Sequence, residues 1–319
     1  MNQLESLKRW TKVVADTANW MDIQRFHSDE ATTNPSLILK EIKNEDTQQA
    51  YLQAAYELLS SIDVGTSRLQ SFLECLLVTV GKRILQVIPG RVSTEVDARY
   101  SFDTEATVQQ ARRLIHLYDL EGISSHRVLI KIAATWEGIQ AAKILEKEGI
   151  ACNLTLIFSL TQAIACACAN VSLISPFVGR IYDWYKARNA LNPLEEDPGV
   201  RSVKEIYTYL KQRGYKTKIM GASFRNTEQI LALSGCDLLT ISPTLLEQLS
   251  LNEADVPCHL TEFQPNTPVV DDNVDEAHFR WQLNEDPMTH EKLAEGIRNF
   301  TKDTVSLEQC LHAFLERQG

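Results

Sequence analysis

The 319-residue sequence lacks the short motifs that identify several common classes of protein. It contains neither GxGxxG nor GxxxxGK[ST], the glycine-rich turns that hold phosphate in nucleotide-binding sheets. It has no HExxH and no other cluster of metal ligands, so we expect no bound metal. Its seven cysteines form no CxxC, and an odd number over so long a chain does not make a disulfide framework. This cysteine usage predicts a reducing, cytoplasmic location.

Basic character and long apolar runs are also missing. The 32 Lys and Arg against 42 Asp and Glu give a net charge of −10, which argues against a nucleic-acid partner but allows a local cationic pocket. The segment 149–179 carries no charged residue, yet polar residues divide it. Its longest wholly apolar run, 163–169, is far shorter than the ~20 residues that cross a bilayer. We therefore expect no membrane partner and predict a buried strand, helix and strand there.

Strands and helices alternate along most of the chain. Seven apolar runs of strand length are nearly continuous, as in a parallel sheet covered on both faces. They begin at Val13, Val92, Val128, Cys152, Val171, Lys218 and Leu238. Four predicted helices end at a glycine just before the next strand, at Gly122, Gly149, Gly214 and Gly235. Two capping boxes, Ser159-x-x-Gln162 and Ser202-x-x-Glu205, predict helix starts.

This alternation predicts an α/β fold, either a doubly wound sheet or a (β/α)₈ TIM barrel. The missing glycine-rich turn disfavours the first, and the short EATTNP segment at Glu30 supplies an eighth strand for the second. We predict one TIM-barrel catalytic domain over 1–319. Additional N-terminal, inserted and C-terminal helices are expected at 1–10, around 45–88 and after Asp286.

Lys131 is the sharpest local anomaly, because it lies within the apolar strand Val-Leu-Ile-Lys-Ile-Ala-Ala. One interpretation is a lysine that is paired with a carboxylate inside the barrel or that extends from a strand end towards water. The other is a Schiff-base lysine, whose amine must be neutral to attack a ketone. Burial among apolar groups favours the neutral form. The strand alone leaves both open.

Asp16 and Glu95 each stand at the carboxyl end of an apolar strand. Buried carboxylates are costly, so pairing or function must explain them. Asp16 alone could be a helix N-cap, and Glu95 alone could pair with Arg91 or Arg99. Together with Lys131 they form a different pattern, because every barrel strand delivers its carboxyl end to one rim, where barrel active sites lie.

Two later motifs suggest a phosphate site. SPFVGR ends in Arg180, and GASFR, after the seventh strand, contains Ser223 and Arg225. Barrels frequently bind phosphate after the seventh strand, and a guanidinium matches phosphate oxygens bidentately. Solvated arginines are the simpler alternative. A phosphorylated substrate is the functional one.

Five ordered motifs resemble the transaldolase family over nearly the whole chain, and the chain length and the segment DPMTHEKLAEGIRNF at Asp286 resemble its long, dimeric subfamily of bacteria and eukaryotes. The five motifs are EATTNPSLI at Glu30, VLIKIAATWEGIQAAKIL at Val128, CNLTLIFS at Cys152, SPFVGRIYDWY at Ser175 and MGASFRN at Met220. The resemblance implies a TIM-barrel enzyme that needs no cofactor and is a homodimer. It also implies a reaction of the pentose phosphate pathway. The enzyme would move a dihydroxyacetone unit from sedoheptulose 7-phosphate to glyceraldehyde 3-phosphate.

The resemblance also implies a role for each matching residue. Lys131 matches the Schiff-base lysine, and Asp16 the acid/base that takes the C4 hydroxyl proton. Glu95 matches the carboxylate that acts through a water held with Thr155. The groups around the dihydroxyacetone moiety match Thr32, Asn34, Asn153 and Ser175. The phosphate end matches Arg180, Ser223 and Arg225, and Phe177 matches a pocket wall. The sequence departs from common family residues, without loss of a matched catalytic residue, at Ala18, Asn19, Ala134, Ile164 and Leu238.

Three alternatives remain open at this point. A fructose 6-phosphate aldolase would form the same imine but release dihydroxyacetone to water. A non-catalytic phosphosugar-binding barrel would keep Arg180 and Arg225 and tolerate loss of Lys131. A glycosidase with Asp16 and Glu95 as its acid pair would leave Lys131 without a role.

Overall fold

The computed structural model describes residues 1–62, 67–192, 194–261 and 274–318. Eight parallel strands close into a barrel in chain order, and the last strand pairs with the first. They are β1 (Lys12–Asp16), β2 (Glu30–Thr32), β3 (Val92–Glu95), β4 (Val128–Ala133), β5 (Cys152–Ile157), β6 (Leu173–Pro176), β7 (Lys218–Gly221) and β8 (Leu238–Ile241). The predicted (β/α)₈ barrel is confirmed, including its short second strand.

Helices surround the barrel and follow its strands. They are α1 (Gln3–Leu7), α2 (Trp20–Arg25), α3 (Pro35–Ile42), α4 (Glu45–Ser60), α5 (Arg68–Leu85), α6 (Thr104–Leu120), α7 (Trp136–Lys147), α8 (Leu160–Cys168), α9 (Gly179–Ala187), α10 (Pro198–Gln212), α11 (Thr227–Leu231), α12 (Pro243–Leu251), α13 (Glu276–Glu285) and α14 (Pro287–Gln318). The predicted additional helices correspond to α1, α4, α5 and α14. The uncharged segment forms β5, α8 and β6, as expected. Among the described residues, no helix is both long enough and apolar enough to cross a membrane.

The glycine signals at the helix ends are confirmed. Gly122, Gly149, Gly214 and Gly235 have φ of +72°, +80°, +72° and +98°, the left-handed region that favours glycine. Gly122, Gly149 and Gly214 directly follow the C-caps of their helices, whereas Gly235 lies three residues beyond the C-cap of α11, in the turn that leads to β8.

The two predicted capping boxes differ in outcome. Ser159 caps α8, and its hydroxyl accepts a hydrogen bond from the Gln162 backbone N–H at 3.3 Å. The Gln162 side chain, however, bonds the N–H of Phe158 instead of that of Ser159. The start predicted at Ser202 is wrong, because α10 begins four residues earlier. There Asp197 accepts from the first free backbone N–H groups and a proline opens the helix.

Strand β5 is irregular at Leu156. Its pairing with β6 shifts register between Leu154 and Ile157, and Leu156 has a φ of +58°. This left-handed conformation costs about 1–2 kcal/mol for a residue other than glycine. Leu154 and Ile157 contact the main core between strands and helices, whereas Leu156 contacts a separate cluster at the carboxyl ends of the strands.

That separate cluster, here called the roof cluster, joins the strand ends to the carboxy-terminal helix. Its buried members are Ala98, Ala133, Leu156, Phe158, Phe177, Ile181, Ala222, Met288, Leu293, Ile297 and Phe300. Helix α14 approaches closely at Gly296, where an added Cβ would lie 2.6 Å from Leu156 Cδ2 and 3.0 Å from Arg180 Nη1. The absence of a side chain at Gly296 therefore lets α14 cover the rim of the barrel where the predicted site lies.

Candidate active site

Lys131 points into the barrel between two polar neighbours. Sheet register places it beside Glu95 of β3 on one side and Asn153 of β5 on the other. Its Nζ lies 3.0 Å from Glu95 Oε2, and the two side chains are only 6% and 5% exposed. Nζ also donates a hydrogen bond to the Thr33 carbonyl at 3.1 Å. The pairing expected of a structural lysine is thus present, but it also gives the amine an immediate partner for its proton.

Asp16 lies in the same layer of the barrel, where it is half-buried. Thr32, its register partner on β2, donates to Asp16 Oδ1 at 3.1 Å, and Thr32 Oγ1 lies 2.7 Å from Thr240 Oγ1. The alternative of Asp16 as a helix cap is wrong, because the Asn19 side chain caps α2. The barrel instead turns the Asp16 carboxylate inwards.

The simpler alternatives for Glu95 are also wrong. Arg91 pairs with Glu30, and Arg99 pairs with Asp97 and Glu308. Glu95 faces inwards to Lys131 because the register of β3 and β4 sets the two residues side by side.

Burial dominates the electrostatics of both carboxyl groups. It raises the pKa of Asp16 above its ordinary value, while the nearby Lys131 charge, the Thr32 hydrogen bond and Arg180 oppose this rise. Burial likewise raises the pKa of Glu95, against the opposing effect of Lys131. A raised pKa makes a carboxylate a stronger base, which is the direction that acid/base catalysis requires.

A hydrogen-bonded chain lines the neighbouring wall. Ser175 donates to Asn153 Oδ1 at 2.6 Å, and Asn153 Nδ2 donates to Ser93 Oγ at 3.1 Å. Thr155 Oγ1 is buried and has no hydrogen-bond partner among the described residues. Because a buried hydroxyl without a partner is costly, Thr155 is suited to holding a water or substrate group.

A cavity of about 70 Å³ opens onto these groups. Its lining includes nine predicted residues: Asp16, Thr32, Asn34, Lys131, Thr155, Ser175, Phe177, Arg180 and Ser223. It also includes four that the sequence analysis missed: Met220, Ala222, Thr240 and Phe300. Thr240 carried a usable signal, a polar residue within the apolar run LLTIS, whereas Phe300 lies in a helix with no local sign of function.

Three predicted residues reach the cavity only through others. Glu95 acts through Lys131, and Asn153 through Ser175. Arg225 donates from Nη1 to Ser223 Oγ at 3.3 Å, but its main partner is Asp183, with Nη2 2.7 Å from Asp183 Oδ2. The Arg225 guanidinium is therefore held beside the cavity by an exposed acid that the sequence did not suggest.

Arg180 supplies the cationic part of the cavity. Its guanidinium carbon lies 4.9 Å from the Phe177 ring centroid and 5.5 Å from that of Phe300. Nη1 is buried and makes no hydrogen bond within the described part of the chain. Burial, followed by the neighbouring Arg225 charge, lowers the pKa of Arg180 below its ordinary value. An anionic group of the substrate would satisfy this guanidinium.

Metal ligation has no comparable arrangement in the described ranges. No three side chains of His, Cys, Asp and Glu are grouped there so as to hold a metal ion. The polar groups of the cavity are instead an amine, carboxyls, hydroxyls and a guanidinium.

A closed eight-stranded barrel with a buried lysine beside carboxyl groups at the carboxyl ends of its strands has the arrangement expected of a Schiff-base enzyme of the aldolase type. The sequence profile described as Transaldolase/Fructose-6-phosphate aldolase matches residues 13–311. Transaldolase A of Salmonella typhimurium (strain LT2) is 53% identical over 323 aligned positions, which cover 99% of this chain and 100% of that protein. The chain belongs to the transaldolase/fructose-6-phosphate aldolase family, and the resemblance predicted from its motifs is confirmed.

Proposed function

We propose that the chain is a transaldolase, a transferase that works without a cofactor. It moves a dihydroxyacetone unit from sedoheptulose 7-phosphate to glyceraldehyde 3-phosphate, giving erythrose 4-phosphate and fructose 6-phosphate. The observation that supports this most strongly is the buried Lys131–Glu95 pair, 3.0 Å apart. Its lysine lines a cavity together with Arg180, whose Nη1 has no hydrogen-bond partner among the described residues. The full-length similarity to a transaldolase supports the same activity.

Imine formation begins with transfer of a proton from Lys131 to Glu95. The neutral amine then attacks C2 of the ketose, and the carbinolamine hydroxyl leaves as water with a proton returned by Glu95. The short distance between the two groups and the raised pKa of Glu95 support this exchange. Thr155, whose buried hydroxyl has no partner among the described residues, would hold the water that carries the proton.

Carbon–carbon cleavage uses the protonated imine as an electron sink. Asp16 takes the C4 hydroxyl proton, the C3–C4 bond breaks, and its electron pair moves to the imine to leave an enamine and a free aldose phosphate. Addition of the acceptor aldehyde reverses these movements. Because its pKa is raised, Asp16 can keep the proton while the aldoses exchange.

Substrate recognition divides between hydroxyls and phosphate. Thr32, Asn34 and Ser175, with Asn153 behind Ser175, would bind the dihydroxyacetone hydroxyls. The phosphate group would be bound by Arg180, Ser223 and Arg225, and Phe177 would form one wall of the pocket.

Borohydride trapping tests this proposal. Incubation with fructose 6-phosphate and borohydride should add the reduced dihydroxyacetone unit to one peptide, the one that contains Lys131. Lys131→Ala should abolish the addition, while Lys143→Ala, in the exposed part of helix α7, should leave it unchanged. No covalent addition to the unaltered protein would overturn the proposal and favour a non-catalytic sugar-phosphate-binding protein.

An assay for free dihydroxyacetone separates transfer from aldolase activity. With both substrates present, we expect transfer with negligible release. Dominant release would favour the fructose 6-phosphate aldolase alternative. A glycosidase is disfavoured because it gives no role to the Lys131–Glu95 pair.

The proposal includes a cytoplasmic homodimer whose protomers each form one catalytic domain over 1–319. The seven free cysteines support a reducing compartment. The match over the full length of a transaldolase and the hydrophobic core that reaches from Leu4 to Phe314 support the remaining points. Light scattering would test the oligomeric state, and cell fractionation would test the location. Calorimetry would test whether the chain unfolds in a single step, as one domain should.

A further inference from the structure

Phe300 of helix α14 covers the reacting groups although it is distant from them in sequence. Its side chain is 3% exposed and belongs to both the cavity lining and the roof cluster. The centroid of its ring lies 5.8 Å from Lys131 Nζ and 5.5 Å from the Arg180 guanidinium carbon. One aromatic ring is thus close to both the amine that forms the imine and the guanidinium proposed for phosphate.

The position of this ring depends on how closely α14 packs on the barrel. One helical turn before Phe300, Gly296 allows the helix to contact Leu156 and Arg180 at distances that a Cβ would make too short. Phe158 and Phe177 meet edge to face on the same cluster, with ring centroids 5.5 Å apart. The covering surface is therefore aromatic and closely packed beside Lys131.

Water that reaches the Lys131-bound unit would change the product of the proposed reaction. After the first aldose leaves, the enamine carbon can take the proton from Asp16 and become an imine again. Addition of water to the imine carbon and breakage of the C2–N bond then free dihydroxyacetone and the Lys131 amine. No oxidant or reductant is needed, so exclusion of water determines whether the unit is transferred or lost.

We infer that Phe300 is a specificity-determining residue that favours transfer over hydrolytic release. It does so by keeping bulk water, beyond the one water proposed at Thr155, from the Lys131-bound enamine until the acceptor aldehyde has added. The inference rests on the proposed transaldolase activity. The aromatic face of Phe300 also lies within cation–π range of Lys131, which favours the positively charged imine before cleavage.

The test compares two matched truncations in one helix. Phe300→Leu removes the ring beside Lys131, whereas Phe314→Leu removes an equally buried ring that packs on Tyr56 and Phe72. Free dihydroxyacetone and transferred product are measured in the same reaction, and their ratio is compared. Phe300→Leu should raise the release-to-transfer ratio on the order of tenfold, the lower end of effects seen when a hydrophobic pocket loses carbon atoms. Phe314→Leu should leave it unchanged.

Two further variants keep the inference testable if Phe300→Leu unfolds. Gly296→Ala should lift α14 and raise the same ratio with the Phe300 ring still present, and Phe300→Met should raise it less than Phe300→Leu. Equal ratios in the folded Phe300 and Phe314 variants, or no rise in any variant, would overturn the inference. Borohydride trapping distinguishes this from failure of the proposed activity, since the unaltered protein should still be trapped at Lys131.

Discussion

Lys131 Nζ and Glu95 Oε2 are 3.0 Å apart on adjacent strands, and neither side chain is more than 6% exposed. Transfer of one proton across this distance converts the charged pair into a neutral amine and a neutral acid. Burial raises the pKa of Glu95, which favours the form in which the carboxyl group holds the proton. The pair can therefore supply a nucleophile without recruiting a base from solvent.

Replacement of Glu95 by Gln should slow imine formation more than it changes the fold. Glutamine keeps the shape but cannot accept and return the proton, so the trapping rate should fall about 10²–10⁴-fold. Rapid-quench borohydride trapping measures this step. Glu41→Gln, which alters another buried glutamate outside the cavity lining, is the control and should leave the rate unchanged. Equal rates in the Glu95 variant and the unaltered protein would remove Glu95 from the mechanism.

Ionisation of Asp16 should lower the stability of the folded protein as the pH rises, because burial raises the pKa of Asp16 above 3.8. Below that value the group is protonated in both states and contributes nothing. Between 3.8 and the folded-state pKa the folded protein binds more protons, so its stability falls with pH; above the folded-state pKa the loss is complete. Asp16→Asn, which does not titrate, should therefore melt at a higher temperature than the unaltered protein at pH 7 and show a diminishing advantage towards pH 4.

Scanning calorimetry from pH 4 to pH 7 measures this difference, with Asp303→Asn, outside the cavity lining, as the control. A lower melting temperature for Asp16→Asn at pH 7 would show that attraction to Lys131 and Arg180 outweighs burial. The same substitution should lower transfer activity about 10²–10⁴-fold, because asparagine cannot take the C4 hydroxyl proton.

Arg180→Ala should affect phosphorylated substrates selectively. Loss of hydrogen bonds from a charged group costs about 1.5–3 kcal/mol, so kcat/KM for fructose 6-phosphate should fall about 10–100-fold. Unphosphorylated fructose should lose far less. Steady-state kinetics with both sugars checks this, and Arg188→Ala, which removes the exposed C-cap arginine that follows α9 and pairs with Glu291, is the matched control. An equal loss for both sugars would place the phosphate elsewhere.

Two glycines with positive φ should differ in their tolerance of alanine. Gly149 has nothing within 4 Å of an added Cβ, so Gly149→Ala should cost only the left-handed conformation, about 1–2 kcal/mol. At Gly235 the same Cβ would lie 2.0 Å from the Leu260 carbonyl oxygen, so Gly235→Ala should cost more. Urea unfolding measures both. Equal costs would indicate that the chain around Leu260 moves freely to accommodate a methyl group.

The sequence predicted those features that depend on neighbours along the chain. The eight strands, the glycine helix ends and the ring of residues at the carboxyl ends of the strands follow from local patterns and from the rule that parallel strands end at one rim. Ser202 shows the limit of a local motif: Asp197 with the following proline forms the actual helix start.

Contacts between distant segments could not be predicted in the same way. The amphipathic pattern of α14 indicates that Phe300 is buried, but not that Lys131, 169 positions earlier, lies beneath it. Likewise, no spacing rule predicts that Asp183 holds Arg225, or that the Thr33 carbonyl accepts from Lys131. These relationships arise only when the barrel closes and the last helix packs across it.

The irregularity at Leu156 lets strand β5 contribute one side chain to the cavity and the next to the roof cluster. Regular alternation would turn Leu156 outwards, away from the reacting groups, but the register shift places Thr155 and Leu156 on the inner side in succession. The Thr155 hydroxyl lines the cavity, and the next side chain packs against the helix that covers it. Lys131 stands on a neighbouring strand where pairing with β3 and β5 is continuous, so the irregularity that serves the helix does not disturb the backbone that holds the lysine.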